Sequence, residues 1–385
     1  MEKLWNQFNE SYSPKIREEL HRFWRGNFKR IQNLRGRVKE ESLDFLVREV
    51  EKYPLRILGR GKLYRPGYVL MGFFIRDKDF SLENFVSNSD TYLQSIAKPA
   101  IAPEILHGST LTLDDVQDES ESRRKSPSCW YSAREFYFQI FPRGLGEARL
   151  FKDRASRIAA SLAADVSYMM LALSSIPILD SDFPERAKLR AVRELNLAAA
   201  RIAAGQNDDL TAENLEIKEL SKMKELWERI VINKTCALYE ASIGIGSILA
   251  GNPENFTRKL KLIARRCASL FQKADDRLDL MEEEITGKPK YQDIREGKIN
   301  YPLIITYENA SPMERSKLEK LLRSEKSEEV VREIGELESK YLHVFDQRLK
   351  EEAQEIKEDI LNLRANEDVK DIWIDWVDQQ ILRRR

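Results

Sequence analysis

Cysteine is scarce in this chain of 385 residues, with three copies in all. Cys129, Cys236 and Cys267 are odd in number and far apart, and no CxxC pair or neighbouring histidine accompanies them. These spacings exclude a disulfide framework and a zinc site of the usual kind. We therefore expect three ordinary thiols packed among other side chains.

A net charge is also absent, because 64 lysines and arginines balance 64 aspartates and glutamates. No general attraction to nucleic acid or to an anionic membrane follows, so any electrostatic function must be local. The stretch "MEKLWNQFNESYSPKIREEL" has no apolar core, and no run approaches the roughly 20 apolar residues that span a bilayer. The sequence predicts a soluble cytoplasmic protein without a transmembrane segment.

The alternating pattern of β-strands is missing as well, and apolar residues instead recur at three- and four-residue steps. The segment "RASRIAASLAADVSYMMLALSSI" is apolar on nearly every face, as in a helix buried within a bundle. Glycine and proline fall at connections such as "IFPRGLG" and "GNPENF". We predict one large all-α domain over residues 46–385, preceded by a charged, peripheral helical extension over residues 1–45.

Two stretches rich in aspartate follow apolar helical segments, namely "LTLDDVQDES" and "ADDRLDL". In a helix, Asp114 and Asp118 lie one turn apart on one face, and so do Asp275 and Asp279. Such pairs of carboxylates suit Mg²⁺, which is usually completed by water and substrate phosphates. One stretch alone would indicate a solvated acidic helix end. Two stretches at the mouth of a buried cavity favour a metal cluster around a polyanion.

Basic and hydroxyl side chains suited to a polyanion occur near turns in "GKLYRP", "SRRKSP", "NKT" and "TGKPKYQDIREGKINYP". Taken singly, each is most simply a solvated surface residue. Together with the aspartates they indicate a site for two diphosphates, one bound through metal and one bound directly by lysine and arginine. The residues are Lys62, Arg65, Arg123, Arg124, Lys234, Thr235, Lys288 and Lys298.

Six segments resemble, in order, the motifs of the trans-isoprenyl diphosphate synthases, also called polyprenyl synthetases. "GKLYRP" is similar to GGKxxRP, "EILHGSTLTLDDVQDESESRR" to the first aspartate-rich motif with its arginine pair, and "AAGQNDDL" to GQxxDL. "NKTCALYEASIGIG" resembles the KT motif, "FQKADDRLDL" resembles FQxxDDxxD, and "TGKPKYQDIREGKINYPLI" resembles the closing lysine segment. Six matches in this order leave little room for chance.

The resemblance implies an all-α bundle of the isoprenoid synthase type around a deep central cavity, in a homodimeric enzyme. It also implies Mg²⁺ as the cofactor, with three ions and with Mn²⁺ as a substitute. The metal ligands would be Asp114, Asp118, Asp275 and Asp279. The catalytic residues would be Asp114, Asp115, Asp118, Lys234, Asp275 and Asp276. The two diphosphates would be bound by Lys62, Arg65, His107, Arg123, Arg124, Lys234, Thr235, Gln272, Lys288 and Lys298.

The reaction that the resemblance implies is chain elongation by a prenyltransferase. Dimethylallyl, geranyl or farnesyl diphosphate ionises with the help of the metal, and isopentenyl diphosphate then adds five carbons and loses a proton. Small residues stand before the first aspartate, at Ser109 and Thr110, where family members with fifteen-carbon products commonly carry aromatics. We therefore expect geranylgeranyl diphosphate, with twenty carbons, or a longer product.

The chain departs from the family pattern at Arg60, where a glycine is usual, and at Leu63, where many members carry arginine. These departures predict a weaker or rearranged site for isopentenyl diphosphate. An aromatic-rich insertion near residues 131–153 is expected to pack over the site entrance or at a subunit contact.

Two other classes of protein stay open. A terpene cyclase or a head-to-head condensing enzyme shares the fold and the metal cluster, but it does not need basic residues for a second diphosphate. A non-catalytic subunit of a heteromeric synthase usually lacks aspartates in one stretch, and here both stretches are intact.

Overall fold

The computed structural model of the chain describes residues 3–34, 52–140, 146–148, 150–212, 220–281 and 290–382. Its first ten helices are α1 (Leu4–Leu34), α2 (52–59), α3 (Tyr64–Phe74), α4 (Leu82–Ser87), α5 (Ser89–Leu93), α6 (Ala97–Ala100), α7 (Ala102–Gln117), α8 (Cys129–Ile140), α9 (Arg154–Leu173) and α10 (Ile176–Leu179). Between α7 and α8, the two-residue strands Ser122–Arg123 and Ser126–Pro127 pair antiparallel.

The remaining helices are α11 (Glu185–Ala212), α12 (Leu220–Val231), α13 (Ala237–Leu249), α14 (Glu254–Leu278), α15 (Gln292–Glu296), α16 (Tyr301–Asn309), α17 (Pro312–Arg323), α18 (Glu328–Lys340), α19 (Leu342–Leu361) and α20 (Glu367–Ile381). A π-helix, Ile232–Cys236, joins α12 to α13. The predicted all-α class is confirmed.

Polar side chains begin several of these helices, and each accepts a hydrogen bond from the first turn. Asp153 accepts from the N–H of Ser156 before α9. Ser311 and Glu314 form a reciprocal capping box before α17. These helix starts therefore follow from the local sequence.

Helix α13 lies at the centre of the bundle, where all of its residues are buried. It packs against α3, α7, α11 and α14. A Cβ at Gly246 would lie 1.9 Å from the carbonyl oxygen of Val69, and a Cβ at Gly72 would lie 2.2 Å from that of Ile243. Glycine is needed here because the backbones of α3 and α13 touch.

Helix α1 contributes an apolar stripe to the same core. Its buried residues recur at three- and four-residue steps, at Trp5, Phe8, Tyr12, Ile16, Leu20, Trp24 and Phe28. The prediction of a peripheral extension is therefore wrong for Leu4–Leu34, because the charges between these positions hide the stripe in the sequence. The predicted boundary between residues 45 and 46 lies outside the described residues.

Helix α8 carries much of the aromatic-rich insertion predicted near residues 131–153, and it packs against α9. Its predicted place at the site entrance or a subunit contact stays a prediction. The stretch Arg154–Leu179 is long and apolar enough to cross a bilayer by length and composition alone, and 39% of its most apolar window is buried. The core helices of soluble proteins pass the same test. All three cysteines are buried free thiols, as predicted.

Candidate active site

The first aspartate stretch lies at the carboxyl end of α7, where Asp118 caps the helix. The Oδ2 atom of Asp114 accepts a hydrogen bond from Nη2 of Arg123 at 3.1 Å, and its Oδ1 lies 3.1 Å from Nζ of Lys234. The Oδ2 of Asp118 lies 3.2 Å from Nζ of Lys298. Each carboxylate therefore faces a lysine from a distant part of the chain.

Asp115 is completely buried between these two residues of the stretch. Its Oδ1 accepts from Nε of Arg123 at 2.6 Å, and its Oδ2 accepts from the hydroxyl of Tyr53 at 3.3 Å. Burial raises the pKa of Asp115 to about 6, although Arg123 acts in the opposite direction. Asp115, predicted to be catalytic, is therefore an anchor that ties the hairpin and α2 to α7.

Asp276 in the second stretch, at the end of α14, is 6% exposed. Its carboxylate accepts hydrogen bonds from Nε2 of Gln272 at 2.8 Å, Nε1 of Trp227 at 3.0 Å and the N–H of Tyr301 at 2.9 Å. Burial raises the pKa of Asp276 to about 7. Asp276, also predicted to be catalytic, is thus turned into the core, where it joins α14 to α12 and α16.

Asp275 and Asp279, the predicted metal ligands of this stretch, are half-buried. The Oδ1 of Asp279 accepts from the N–H of Asp293 at 3.1 Å, and its carbonyl oxygen accepts from the N–H of Tyr291 at 2.8 Å. Burial and the charge of Asp279 hold the pKa of Asp293 well above its usual value. The segment after residue 290 is therefore tied directly to the end of α14.

Lys234 and Thr235 lie in the π-helix, a form that is rare and frequent at functional sites. The Nζ of Lys234 lies 2.7 Å from Oδ2 of Asp209, in addition to its contact with Asp114. The hydroxyl of Thr235 donates to Oε1 of Gln272 at 2.8 Å, and Gln272 in turn donates to Asp276. The π-helix therefore connects the two aspartate stretches.

Both lysines at the site stay charged. Burial acts to lower the pKa of Lys234, but Asp114 and Asp209 outweigh it and raise that pKa. The same balance raises the pKa of Lys298, whose Nζ lies 2.7 Å from Glu296 as well as next to Asp118. Burial would raise the pKa of Asp114, yet Lys234 and Arg123 lower it.

A second basic cluster lies beside α7. The Nη2 of Arg124 lies 3.9 Å from Oε1 of Glu104, and its Nη1 donates to the carbonyl oxygen of Ile57. The guanidinium of Arg65 lies over the ring of Tyr239, 4.9 Å from its centroid. The predicted binding residues Arg65 and Arg124 are thus held in place, Arg124 by an acidic and a backbone partner and Arg65 by an aromatic ring.

His107 belongs to the same cluster. Burial, followed by the charges of Arg65, Arg124 and Arg123, lowers the pKa of His107 well below its usual value. A neutral imidazole retains one N–H donor, so His107 can donate one hydrogen bond without adding positive charge to the cluster.

The other predicted residues have varied positions. The Nζ of Lys62 lies 5.9 Å from the ring centroid of Tyr64, in the loop before α3. Ser109 and Ser167 each donate a hydroxyl hydrogen bond to the other's carbonyl oxygen at 2.9 Å, which joins α7 to α9. The hydroxyl of Thr110 donates to the carbonyl oxygen of His107 at 2.9 Å. Lys288 lies outside the described residues.

Three participants escaped the sequence analysis: Tyr53, Asp209 and Glu296. Asp209 could have been recognised from the sequence, because it is the second aspartate of "GQNDDL", at the position of the aspartate in GQxxDL. Glu296 also stands in a quoted segment, "TGKPKYQDIREGKINYP", where only the lysines were singled out, and its contact with Lys298 reveals it. Tyr53 stands in no quoted motif, and its contact with Asp115 reveals it.

The donor set fits Mg²⁺, since Asp114, Asp118, Asp275 and Asp279 offer only carboxylate oxygens. Within the described part of the chain, no three carboxylate, imidazole or thiolate side chains lie close enough together to hold a metal ion. An ion at this site would therefore be completed by the oxygens of a bound substrate and by water.

Over the residues that the structure describes, the bundle is helical apart from one short two-stranded hairpin, and it places the aspartate stretches at the ends of α7 and α14, with Lys234 and Lys298 in contact with the first stretch. The chain belongs to the polyprenyl synthetase family, whose sequence model matches residues 48–337.

Curated relatives agree with this assignment. The chain is 32% identical over 212 residues to a (2E,6E)-farnesyl diphosphate synthase of Mycobacterium tuberculosis, a match that covers 54% of this chain and 49% of that protein. It is 33% identical over 232 residues to the chloroplastic geranylgeranyl pyrophosphate synthase 11 of Arabidopsis thaliana, covering 58% of each. The matched region thus spans about half the length of these relatives.

Solved structures share the fold over nearly the whole chain. The geranylgeranyl pyrophosphate synthase of Corynebacterium glutamicum, complexed with isoprenyl diphosphate and magnesium, superposes with a TM-score of 0.78 at 20% identity and covers 97% of this chain and 99% of that one. A geranylgeranyl pyrophosphate synthetase of Pyrococcus horikoshii superposes with a TM-score of 0.69 at 22% identity and covers 99% of both chains.

Proposed function

We propose that the chain is a chain-elongating trans-prenyltransferase, which condenses isopentenyl diphosphate with an allylic diphosphate and releases diphosphate. The observation that supports this proposal is that basic side chains lie in two separate groups, which we assign as two anion sites. One site is formed by the aspartate stretches with Lys234 and Lys298. The other site is the cluster of Arg65, His107 and Arg124. A reaction between two diphosphates requires both.

The allylic diphosphate is assigned to the aspartate side. Mg²⁺ bound by Asp114, Asp118, Asp275 and Asp279 would neutralise the charge that develops on the leaving diphosphate. Lys234 and Lys298 add fixed positive charge at the same place, because both remain protonated at neutral pH. Three further side chains position this site through hydrogen bonds. Arg123 binds Asp114, and Thr235 of the π-helix binds Gln272, which in turn binds Asp276.

Isopentenyl diphosphate is assigned to Lys62, Arg65, His107 and Arg124. The three cations bind its phosphates, and neutral His107 donates one hydrogen bond. Binding at both diphosphates holds the double bond of one substrate against the allylic carbon of the other. After the carbon–carbon bond forms, the departing diphosphate accepts the proton that is lost.

We assign geranylgeranyl diphosphate as the product. Ser109 and Thr110 are smaller than the aromatic residues that family members with fifteen-carbon products commonly carry there, so we infer that a deeper residue ends the cavity. A Cβ at Gly108 would lie 2.4 Å from Cε of Met170 and 2.9 Å from Cδ2 of Leu58. These two apolar side chains close the space against α7, and we assign the floor to Met170.

We further infer a homodimer. The helices α9 and α11 expose several large apolar side chains, with exposed fractions of 70% at Tyr168, 63% at Leu189 and 47% at Leu197. Burial of such residues against a second copy would be favourable.

The proposal is tested with purified protein, Mg²⁺ and labelled isopentenyl diphosphate, to which dimethylallyl, geranyl and farnesyl diphosphate are offered in turn. We expect label in a product of twenty carbons that is lost on chelation of the metal. Consumption of an allylic diphosphate without isopentenyl diphosphate would instead indicate a cyclase or a head-to-head enzyme. Incorporation that requires a second protein would indicate a subunit of a heteromeric synthase.

A further inference from the structure

We propose that helix α1 is a working part of the second diphosphate site, because it sets the conformation of residues 59–63. This loop carries Lys62 and leads into Arg65. Arg17 and Tyr12 are positioning residues in this inference, which rests on the proposed binding of isopentenyl diphosphate to the cluster that contains Lys62 and Arg65.

Arg17 binds two carbonyl groups of the loop at once. Its Nη1 donates to the carbonyl oxygen of Gly59, and its Nη2 donates to that of Gly61 at 3.1 Å. Backbone carbonyls in a loop without regular structure otherwise need water or other partners. A half-buried guanidinium with its planar fork of donors fixes both carbonyls in one orientation.

The next two carbonyl groups are bound by α1 as well. The Nδ2 of Asn9 donates to the carbonyl oxygen of Lys62 at 2.9 Å. The hydroxyl of Tyr12, which is completely buried, donates to that of Leu63 at 3.0 Å. Side chains from three positions of α1 therefore bind four carbonyls within five residues of the loop.

The loop needs this support because of its backbone conformation. Leu63 has a φ of 55°, in the left-handed region, which is unfavourable for a leucine. Its side chain is buried, 1% exposed, so the residue cannot relax by turning outward without losing apolar contacts. The bond from Tyr12 to the carbonyl of Leu63 holds the strained residue directly before α3.

The opposite side of the loop faces the basic cluster. A Cβ at Gly61 would lie 2.7 Å from Oε1 of Glu104 and 2.8 Å from Nη1 of Arg124. The loop is thus held between α1 and the residues assigned to isopentenyl diphosphate. A movement of the loop on the α1 side would shift Lys62 and the neighbours of Arg124 together.

The test compares steady-state kinetics of the full-length protein and its variants. In Arg17→Met we expect the KM for isopentenyl diphosphate to rise about tenfold, because two hydrogen bonds are lost. The KM for the allylic diphosphate and kcat should change by less than about twofold, since the hydrogen bonds of Arg17 described above go to residues 59–61 and not to the aspartate stretches. Arg17→Lys, which keeps a charged donor, should restore part of the affinity.

Arg22→Met is the matched control. Arg22 lies on the exposed side of α1, where it pairs with Glu18 and Glu19. This variant should leave both KM values unchanged. Tyr12→Phe, which removes one hydroxyl and keeps the ring, serves as the second test variant if Arg17→Met folds poorly.

The outcomes separate the two levels of the proposal. If the wild type does not use isopentenyl diphosphate, the proposed function fails and this inference fails with it. If the wild type is active and both Arg17→Met and Tyr12→Phe keep the wild-type KM for isopentenyl diphosphate, this inference alone is overturned. An equal rise of both KM values, together with a lower melting temperature, would show that α1 only stabilises the fold.

Discussion

Lys298 and Asp118 are 180 positions apart in the sequence, and the Nζ of Lys298 lies 3.2 Å from Oδ2 of Asp118. Through this contact, the segment after the second aspartate stretch reaches the first. Lys234 makes a parallel contact from the π-helix to Asp114. The site is therefore assembled by tertiary contacts between opposite charges, and the following predictions test its parts.

Asp114→Asn should lower kcat by about a hundredfold to a thousandfold, because the substitution removes one carboxylate charge where the leaving group must be neutralised. Asp208→Asn is the matched control, since Asp208 pairs with the half-exposed Arg229. That variant should stay within about twofold of the wild type. Activity is measured with labelled isopentenyl diphosphate. If Asp114→Asn is as active as Asp208→Asn and the wild type, Asp114 is not part of the active site.

Asp276→Ala should act on stability, in contrast to Asp275→Ala. Loss of the carboxylate leaves the buried N–H groups of Trp227 and Tyr301 unpaired, at about 1–3 kcal/mol each. Urea unfolding should therefore show that Asp276→Ala lowers the free energy of unfolding several times more than Asp275→Ala does. Asp275→Ala should lose activity with a smaller fall in melting temperature than Asp276→Ala, because Asp275 is only half-buried. If Asp276→Ala instead lost activity without losing stability, Asp276 would be a catalytic residue, as the sequence analysis predicted.

Met170→Ala should lengthen the product, because it removes the side chain that meets α7 at Gly108. We expect chains longer than those of the wild type when products are separated by chromatography. Met169→Ala is the control, since Met169 precedes it on α9 and is only half-buried. An unchanged product from Met170→Ala would place the floor of the cavity elsewhere.

Gly246→Ala should destabilise the fold by about 1–3 kcal/mol or more, because the new methyl group would meet the backbone of α3. Gly244→Ala lies two residues earlier on α13, and its methyl group would lie 3.3 Å from Cδ of Lys261 and 3.9 Å from Oε2 of Glu194, which are side-chain atoms and not backbone. The control should be neutral, or more stable by up to about 1 kcal/mol through helix propensity. Thermal unfolding of the two variants and the wild type tests this prediction. Equal melting temperatures of Gly246→Ala and Gly244→Ala would show that the contact between α3 and α13 does not require glycine at position 246.

Glu314 should make stability depend on pH in acid. Lys340, followed by Ser311, lowers the pKa of Glu314 from 4.5 to about 2. A carboxylate whose pKa is lowered by folding stabilises the fold at pH values above its pKa in the unfolded chain. This contribution is lost as the pH falls from 4.5 towards 2. The melting temperature of Glu314→Gln should thus lie below that of the wild type at pH 7. The difference should shrink through this acid range, and a constant difference would contradict the assignment.

The helical class and the paired aspartates could be predicted because both depend on spacing along the chain. Asp114 and Asp118 are one turn apart in any helix, and so are Asp275 and Asp279. Arg65, His107 and Arg124, which motif positions single out, lie near one another in the fold, and their binding of a diphosphate stays a prediction.

Spacing could not show which aspartates face inward. Asp115 and Asp276 are buried because Tyr53, Arg123 and Trp227 reach them from other elements, and no local pattern announces those partners. The role of α1 was missed for a similar reason. Its aromatic stripe is interrupted by charges, and the carbonyls that its side chains bind lie more than forty positions away.

The π-helix makes the number of residues at this place as important as their identity. Deletion of Thr235 or Cys236 would allow a regular α-helix, which is locally more favourable. The part of the helix before the deletion would then turn by about 100° relative to α13. Lys234 could still be present and yet lie away from Asp114 and Asp209. We therefore expect relatives of this chain to tolerate substitutions here more readily than changes in length.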